Sequence, residues 1–345
     1  MHTHKPKRQK ALHMETNQTI RLIARPSGGP ITEDLFQIEE QPRPVIEDGQ
    51  FLVRQTSLSL DPAMFGWMSS DTDSYIPPVQ LGDIMRSNGV GEVIESRHPD
   101  FSVGDKVQGM FGWQTLIATD GQGITKLDPS LSDEMALSVF SLPGLTATQG
   151  FYHVLKPETG QTLVVSGAAG SVGSIVGQLG KAEGLHVIGV AGSDEKCDWL
   201  VNELGFDGAI NYKKEQLEEN LAALTPNGID LYFENTGGAT QTPVFNRMNA
   251  HGRIAVCGLI AEYSLETPRP GPSWLNVIKK RLTIQGFTMP DHLHNAPALL
   301  AQLAPHVKAG KIQYRAHVLE GLPSAISGLN LFMTGSNKGK LMVRL

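Results

Sequence analysis

The feature that most constrains the fold is a strand that runs directly into a glycine-rich turn and then a helix, from Thr162 to Lys181 (TLVVSGAAGSVGSIVGQLGK). Gly167, Gly170 and Gly173 have the spacing G-x-x-G-x-x-G, a variant of the fingerprint of dinucleotide-binding units. Glycine permits close approach of a pyrophosphate, and the helix N-terminus offers it unpaired N–H groups and a positive dipole. We therefore predict a phosphate-binding turn here.

Strands and helices alternate after this turn, which is typical of a parallel, doubly wound sheet. Helices are predicted between the strands, for example at Ser174–Ala182 and Glu195–Leu204, and an earlier helix at Ser132–Val154 is interrupted at Pro143-Gly144. The predicted strands are Thr162–Gly167, His186–Gly192, Gly208–Tyr212, Ile229–Asn235, Gly252–Gly258 and Leu282–Phe287.

The remainder of the chain has a different pattern. Between Thr19 and Asp128, short β-rich runs are separated by Gly and Pro, which favours a barrel-like unit. The tail returns to strands at Ile312–Glu320 and Lys340–Leu345, around a helix at Leu322–Thr334, so we expect it to rejoin the first domain. The sequence thus predicts an α/β fold with a doubly wound parallel Rossmann domain and a β-rich substrate domain. The predicted boundaries are 136–305 for the former, and 19–135 with 306–345 for the latter.

Residues 1–18 are predicted to be a disordered leader, since their basic start is not followed by the apolar segment of a secretory signal. The net charge of −6 argues against nucleic acid or an anionic membrane as the main partner. The uncharged run Gln161–Gly180 is broken by glycines and polar residues, so it is a poor membrane span. Only two cysteines, Cys197 and Cys257, are present, which excludes a disulfide scaffold and fits a reducing cytoplasm.

The end of the second predicted Rossmann strand indicates which dinucleotide is bound. NAD sites usually place Asp or Glu there, to accept from the ribose 2′-hydroxyl. Here Gly192 and Ser193 occupy that position, and Lys196 lies one helical turn beyond. A hydroxyl and an ammonium group suit a 2′-phosphate, so NADP(H) is the predicted cofactor. The alternative is that Lys196 is an ordinary solvated helix residue.

The sequence offers no donor set for a catalytic zinc ion, because the first half has no cysteine and the histidines are isolated or lie in a predicted loop. No metal is therefore predicted. Hydride transfer without metal still needs a group that stabilises negative charge on a carbonyl oxygen. Tyr263, in the loop after the fifth predicted strand, is a natural donor, and its alternative reading is a packed loop aromatic.

At these residues the chain resembles the zinc-independent medium-chain dehydrogenase/reductases, and among them the NADP-dependent double-bond reductases: the prostaglandin, alkenal and bacterial curcumin reductases. The likeness covers nearly everything after Gln18 and implies a GroES-like β-rich domain. The motifs that carry it are LSLDPAM (58–64), SYIPPVQLGDIM (74–85), LPGLTA (142–147), SGAAGSVGS (166–174), AGSDEK (191–196), NYK (211–213), FENTGG (233–238), CGLIAEY (257–263) and NKGKLMV (337–343).

The resemblance also implies roles for individual residues. Tyr263 would hydrogen-bond the substrate carbonyl, beside Met64 and Tyr75 as further substrate contacts. The cofactor contacts would be Thr146, Gly170, Ser171, Val172, Gly173, Ser193, Lys196, Tyr212, Asn235, Cys257, Gly258, Leu259, Tyr263, Phe287 and Asn337.

The expected reaction is NADPH-dependent reduction of the C=C bond of an α,β-unsaturated ketone or aldehyde. Quinone reduction, or zinc-free alcohol and ketone chemistry, is the alternative, and a non-enzymatic NADPH-binding role is a further one. The resemblance implies a homodimer formed through sheet edges. One departure is Phe65, which stands where many relatives have arginine, so we expect a more apolar entrance together with Trp67 and Tyr75.

Overall fold

The fold is given by a computed structural model, which describes residues 15–263, 265, 267 and 269–345. Residues 1–14 of the predicted leader lie outside this range. Strand β1 begins at Thr16, so residues 16–18 belong to a strand and not to the leader. Within the described residues, no helix has the length and apolar character needed to cross a membrane.

A six-stranded parallel sheet forms the centre of the half of the fold that corresponds to the predicted Rossmann domain. Its strand order is β10-β9-β8-β11-β12-β13, the doubly wound order predicted from the alternation of strands and helices. The strands are β8 Thr162–Ser166, β9 His186–Ala191, β10 Gly208–Asn211, β11 Ile229–Glu234, β12 Met248–Val256 and β13 Thr283–Gly286.

Helices cover both faces of this sheet, because successive residues of β8 pack into different buried clusters. Leu163 and Val165 lie in one cluster with Ile175 of helix α4 (Ser171–Ala182). Val164 lies in the other with Leu221 of helix α6 (Leu217–Leu224). A strand buried on both faces needs the continuous apolar run that β8 has. The other helices of this half are α3 Leu142–Thr148, α5 Asp194–Asn202, α7 Gln241–Arg247, α8 Leu275–Lys280 and α9 Ala296–Lys308, with a π-helical turn at Gln149–Leu155. Helix α2, Asp133–Ser138, precedes them and packs against the β-rich half, where its Ala136 and Leu137 lie in one cluster with Val90 and Met342.

A seven-stranded mixed sheet and a two-stranded ribbon form the β-rich half, and the tail strands join the larger of the two. Strand β15 pairs antiparallel with β3 and parallel with β14, so the tail does return to the first part of the chain. The elements are β1 Thr16–Leu22, β2 Phe36–Pro42, β3 Phe51–Ser59, β4 Gly89–Ser96, β5 Lys106–Gly109, β6 Leu116–Thr119, β7 Thr125–Lys126, β14 Ala316–Glu320 and β15 Lys340–Arg344, with helices α1 Ala63–Met68, α10 Ser324–Gly328 and α11 Asn330–Thr334. The predicted fold class is confirmed, while the exact domain boundaries stay predictions.

The helix break near Pro143-Gly144 is placed differently from the prediction. Helix α2 ends at Ser138 and α3 begins at Leu142, so Pro143 lies in the first turn of a new helix, where a missing N–H is tolerated. Gly144 is needed for packing: a Cβ atom there would lie 1.8 Å from the carbonyl oxygen of Val139.

We expect Gly144→Ala to lower the free energy of unfolding by about 1–3 kcal/mol, the usual cost of overpacking a filled site. Urea denaturation measures this loss. Gly66→Ala in α1 is the matched control, since a Cβ there meets nothing within 4 Å and the substitution should be neutral or stabilising. Equal stabilities for the two variants would contradict the packing argument.

Candidate cofactor and active site

The site lies where the strand order of the parallel sheet reverses, between β8 and β11. Crevices that bind ligands open at this point, outside the carboxyl ends of the strands. Ser166 ends β8, and Asn235 follows β11. The Asn235 side chain donates to the Ser166 carbonyl oxygen at 2.8 Å, and its backbone N–H donates to Ser166 Oγ at 2.8 Å. Asn235 therefore joins the ends of β8 and β11. Its place beneath the cofactor stays a prediction.

A buried carboxylate, Glu234, ties the two strand ends together. It accepts from Ser166 Oγ at 2.5 Å and from the Tyr232 hydroxyl at 2.6 Å. It also accepts the backbone N–H groups of Thr236 and Gly237, at 2.8 and 3.0 Å. Burial and the adjacent carboxylate raise the pKa of Tyr232 well above its usual value, so this hydroxyl stays a donor. The loop after β11 is thereby held in one conformation.

The glycine turn forms a cradle that a side chain would fill. A Cβ on Gly173 would lie 2.5 Å from the carbonyl oxygen of Gly167 and 2.8 Å from the Cα of Ala168. Gly167 has a φ of +58°, a left-handed conformation that favours glycine. Gly170 precedes α4 and no side chain caps this helix, so the N–H groups of its first turn, Ser171 to Gly173, are available to an anion.

The predicted phosphate end of the site is cationic. Lys196 Nζ donates to the carbonyl oxygen of Gly335 at 2.8 Å, and Lys213 Nζ donates to that of Thr334 at 3.1 Å. Burial, with Lys213 and Lys338 nearby, lowers the pKa of Lys196. Ser193 Oγ caps α5 by accepting from the Lys196 backbone N–H at 3.3 Å. Neither Lys196 nor Lys213 pairs with a carboxylate among the described residues.

The two acidic residues at the start of α5 are paired with other lysines. Asp194 lies 2.6 Å from Lys214 Nζ, and Glu195 lies 2.6 Å from Lys338 Nζ. Acidic residues in the first turn of a helix are also favoured by the helix dipole. The positive potential around Lys196 is therefore not cancelled by its own helix.

The other end of the crevice holds Tyr263. Its hydroxyl oxygen accepts from the Leu259 backbone N–H at 3.2 Å, and a Cβ on Gly258 would lie 3.1 Å from that oxygen. Because the hydroxyl accepts here and has no acceptor of its own among the described residues, its proton remains available to a substrate. Burial raises the pKa of Tyr263, with Cys257 and Tyr75 as smaller causes, and the Leu259 N–H opposes them. These side chains thus share one neighbourhood, in which Tyr263 is 45 % exposed.

Cys257 is a poor nucleophile in this setting. Burial, and then the charge of Glu234, raise the pKa of its thiol to about 12, so the thiolate is scarce at neutral pH. Cys257 is thus a neutral lining residue, in line with its predicted contact role.

The other predicted cofactor contacts lie in different surroundings from one another. Thr146 on α3 is half-buried, and its hydroxyl donates to the Leu142 carbonyl oxygen at 2.6 Å. Phe287 packs edge-on against Phe233 behind β11. Tyr212 lies against Gly192, where a Cβ would be 3.3 Å from the Tyr212 ring.

Two further predicted contacts lie near the glycine turn. Val172 is half-buried against the cluster that contains Ile175. The Asn337 amide donates to the carbonyl oxygen of Gly339, which touches the glycine turn.

The predicted apolar entrance is not found as expected. Met64, Phe65 and Trp67 are all buried in one core cluster of the β-rich half, with Met64 fully enclosed. Only Tyr75 of the predicted entrance residues is exposed. The cause is that α1 turns its apolar residues into the core, a helix that the sequence reading did not include. Direct contact of Met64 with substrate stays a prediction.

Sequence reasoning missed three residues of this region: Glu234, Lys213 and Gly339. Glu234 and Lys213 stand inside the motifs FENTGG and NYK, next to residues that were singled out, so a polar residue at a strand end was the available signal. Gly339 stands inside the motif NKGKLMV, two residues after Asn337, but its contact with Ala169 joins residues distant in sequence and so has no local pattern.

Comparison with known proteins shows the family to which the chain belongs. A family profile described as "N-terminal domain of oxidoreductase" matches residues 18–127, and one described as "Zinc-binding dehydrogenase" matches residues 171–304. The NADPH-dependent curcumin reductase of Escherichia coli is 39% identical over 338 residues, 96% of this chain and 97% of that protein. The chain belongs to the NADP-dependent double-bond reductases of the medium-chain dehydrogenase/reductase family.

Two further relatives agree with this membership. The NADP(+)-dependent 2-alkenal reductase of Nicotiana tabacum is 40% identical over 295 residues, 85% of this chain and 86% of that protein. The crystal structure of CurA from Vibrio vulnificus in complex with NADPH superimposes with a TM-score of 0.89 at 38% identity, covering 95% of this chain and 98% of that one.

The name of the second profile mentions zinc, and the described residues do not supply a site for it. They contain no group of three or more His, Cys, Asp or Glu side chains arranged to hold a metal ion. The reaction is therefore derived without a metal, and metal independence itself stays a prediction.

Proposed function

We propose that this protein reduces the C=C bond of α,β-unsaturated ketones or aldehydes with NADPH. The observation that carries the proposal is the Tyr263 hydroxyl, which has no acceptor for its proton among the described residues and lies at the carboxyl edge of the sheet, beside Gly258. The curcumin and alkenal reductases that the chain resembles are named for such reactions. Tyr263 is the group we assign to the carbonyl oxygen.

The residues present fit NADP(H). The cradle left by Gly173 and the uncapped start of α4 suit a pyrophosphate, and Lys196 with Lys213 suits the 2′-phosphate. Ser193, Tyr212, Asn235 and the other predicted contacts are the residues that we propose to surround the cofactor. The relative solved with NADPH supports this assignment.

Bound NADPH supplies a hydride for the β-carbon of the substrate. The C=C electron pair then moves toward the carbonyl oxygen, and the resulting enolate charge needs a donor already in place. Tyr263 fills that role, because the Leu259 N–H fixes its oxygen and the raised pKa keeps it protonated. A proton added to the α-carbon, from water or Tyr263, completes the saturated product.

We expect Tyr263→Phe to lower kcat for an enone by about 10²–10³-fold, the usual effect of removing one such donor. The NADPH dissociation constant should stay within about twofold of the unmodified value, since the pyrophosphate and 2′-phosphate contacts remain. Tyr152→Phe is the matched control, because that hydroxyl bonds to Glu183 and His306 away from the site. An unchanged kcat in Tyr263→Phe would remove this tyrosine from the mechanism.

Lys196→Ala and Lys213→Ala should each weaken NADPH binding by about tenfold to a hundredfold, because each removes a charged hydrogen bond to the 2′-phosphate. NADH binding should change little. Lys126→Ala is the control, as its ammonium group pairs with Asp105 in the β-rich half. Fluorescence titration with both dinucleotides measures this, and equal losses for NADPH and NADH would contradict the assignment.

Quinone reduction uses the same hydride and remains the second candidate. Tyr263 and Tyr75 are both exposed, so their hydroxyl groups can reach the carbonyl oxygen of an enone or of a quinone. A panel of small alkenals, bulky diarylheptanoid enones such as curcumin, quinones and the matching saturated ketones separates the candidates. NADPH consumption confined to quinones would replace the enone assignment.

We also propose a homodimer formed through the edge strand β13. Strand β13 is the edge of the parallel sheet and is largely exposed, and α8 beside it has no buried residue. Trp274, at its start, and Ile278 are 73% and 74% exposed, so together they offer an apolar surface to a second copy.

Sedimentation velocity should give about twice the chain mass for the unmodified protein and one chain mass for Ile278→Glu. Val45→Glu, at an exposed apolar position in the β-rich half, is the control and should remain dimeric. A monomeric unmodified chain would contradict the proposal.

The cytoplasm is the compartment we propose. The two cysteines, Cys197 and Cys257, are free, and burial raises the pKa of both thiols, to about 11 and about 12. Neither needs oxidation to support the fold, and NADPH is a cytoplasmic reductant. Fractionation of the native cells, with the protein found in a membrane or secreted fraction, would contradict this.

A further inference from the structure

An ion pair between Lys340 and Asp61 joins the tail to the segment that follows β3 of the large mixed sheet, and the Asp61 side chain is 16% exposed. Lys340, at the start of β15, is 1% exposed, and its Nζ lies 2.6 Å from Asp61 Oδ1. The same ammonium group donates to Ser59 Oγ at 2.5 Å and to the Leu60 carbonyl oxygen at 2.9 Å. Ser59 also donates to the second oxygen of Asp61. All three protons of Lys340 are therefore used.

Stability alone does not explain this arrangement. The desolvation of two charges offsets most of their attraction, so a pair of apolar side chains would serve a core as well. Buried ion pairs are best attested as devices that fix one register among several. The register of the tail determines which of its residues meets the glycine turn.

The residue before Lys340 touches the glycine turn directly. Gly339 N–H donates to the Ala169 carbonyl oxygen at 3.1 Å, and Gly339 bridges to Gly170. It has a φ of +68°, and a Cβ there would lie 2.1 Å from the Arg315 carbonyl oxygen. Lys340 N–H donates to that same oxygen at 2.8 Å. The position and conformation of Gly339 are therefore fixed by its neighbours, among them the bond between Lys340 N–H and the Arg315 carbonyl oxygen.

The tail segment, residues 334–340, continues from there along the cationic end of the crevice. The carbonyl oxygens of Thr334 and Gly335 hold Lys213 and Lys196, and Lys338 pairs with Glu195. One short segment therefore contacts both the pyrophosphate turn and the lysines that we assign to the 2′-phosphate. A one-residue slip would disturb all these contacts together.

We propose that Lys340 is a positioning residue for the NADP(H) site: its ion pair with Asp61 sets the register of the tail segment against the glycine turn. Lys340 does not touch the cofactor and acts through Gly339 and the lysine contacts. The proposal rests on the NADP(H) assignment above. Its test therefore measures the NADPH dissociation constant as well as kcat.

The test compares Lys340→Met with Lys106→Met. Lys106 forms an ion pair in the same half of the fold, with its Nζ 2.6 Å from Asp133 Oδ1. The side chains of Lys106 and Asp133 are each 20% exposed. We expect Lys340→Met to raise the NADPH dissociation constant at least tenfold while kcat at saturating NADPH stays within about threefold. Lys106→Met should leave the NADPH dissociation constant within about twofold.

An NADPH dissociation constant within twofold of the unmodified value in folded Lys340→Met would overturn the proposal, and so would an equal rise in Lys106→Met. Failure of the unmodified chain to bind NADPH would overturn the cofactor assignment as well, which distinguishes the two failures.

Hydrogen exchange of the unmodified chain keeps the proposal testable where Lys340→Met does not fold. We expect NADPH to slow amide exchange in peptides that cover residues 334–340 as well as in those that cover 167–173. Slowing confined to 167–173 would show that the tail segment is not part of the site, and would overturn the proposal.

Discussion

The carboxylate of Glu234 is the interaction on which the rest of the site depends. It lies at the point where the strand order of the parallel sheet reverses and accepts hydrogen bonds from β8, from β11 and from the loop that follows β11. A buried carboxylate is costly unless every lone pair is used, and here the partners come from both sides of the crevice. The crevice therefore opens between two strand ends that cannot separate independently.

The two ends of that crevice have opposite chemistry. Around Lys196 and Lys213, positive charge is left uncompensated because the nearby acids pair with Lys214 and Lys338. Burial raises the pKa of the Tyr263 hydroxyl, and burial with the charge of Glu234 raises the pKa of the Cys257 thiol, so both groups stay protonated. One end thus suits a phosphate that is already charged, and the other suits an oxygen that becomes charged during the reaction.

Local patterns in the sequence predict much of this arrangement. The strand–glycine–helix run and the alternation after it predict a doubly wound parallel sheet, and the missing acid after β9 predicts an NADP(H) site there. What the sequence could not predict are contacts between distant residues. Lys340 and Asp61 are 279 residues apart, and Ser166 and Glu234 are 68 apart, so neither pair leaves a local trace. Helix α1, which the local pattern did not indicate, buries Met64 in the core of the β-rich half, so its contact with substrate stays a prediction.

The central claim is that the hydride reaches the β-carbon of an enone while Tyr263 holds the carbonyl oxygen. Incubation of the protein with an aryl enone and NADPH deuterated at the hydride-donating carbon tests it most directly, with the product analysed by NMR. The account predicts a saturated ketone that carries deuterium at the β-carbon. Deuterium on the carbonyl carbon of an allylic alcohol, or no transfer to the enone, would contradict it.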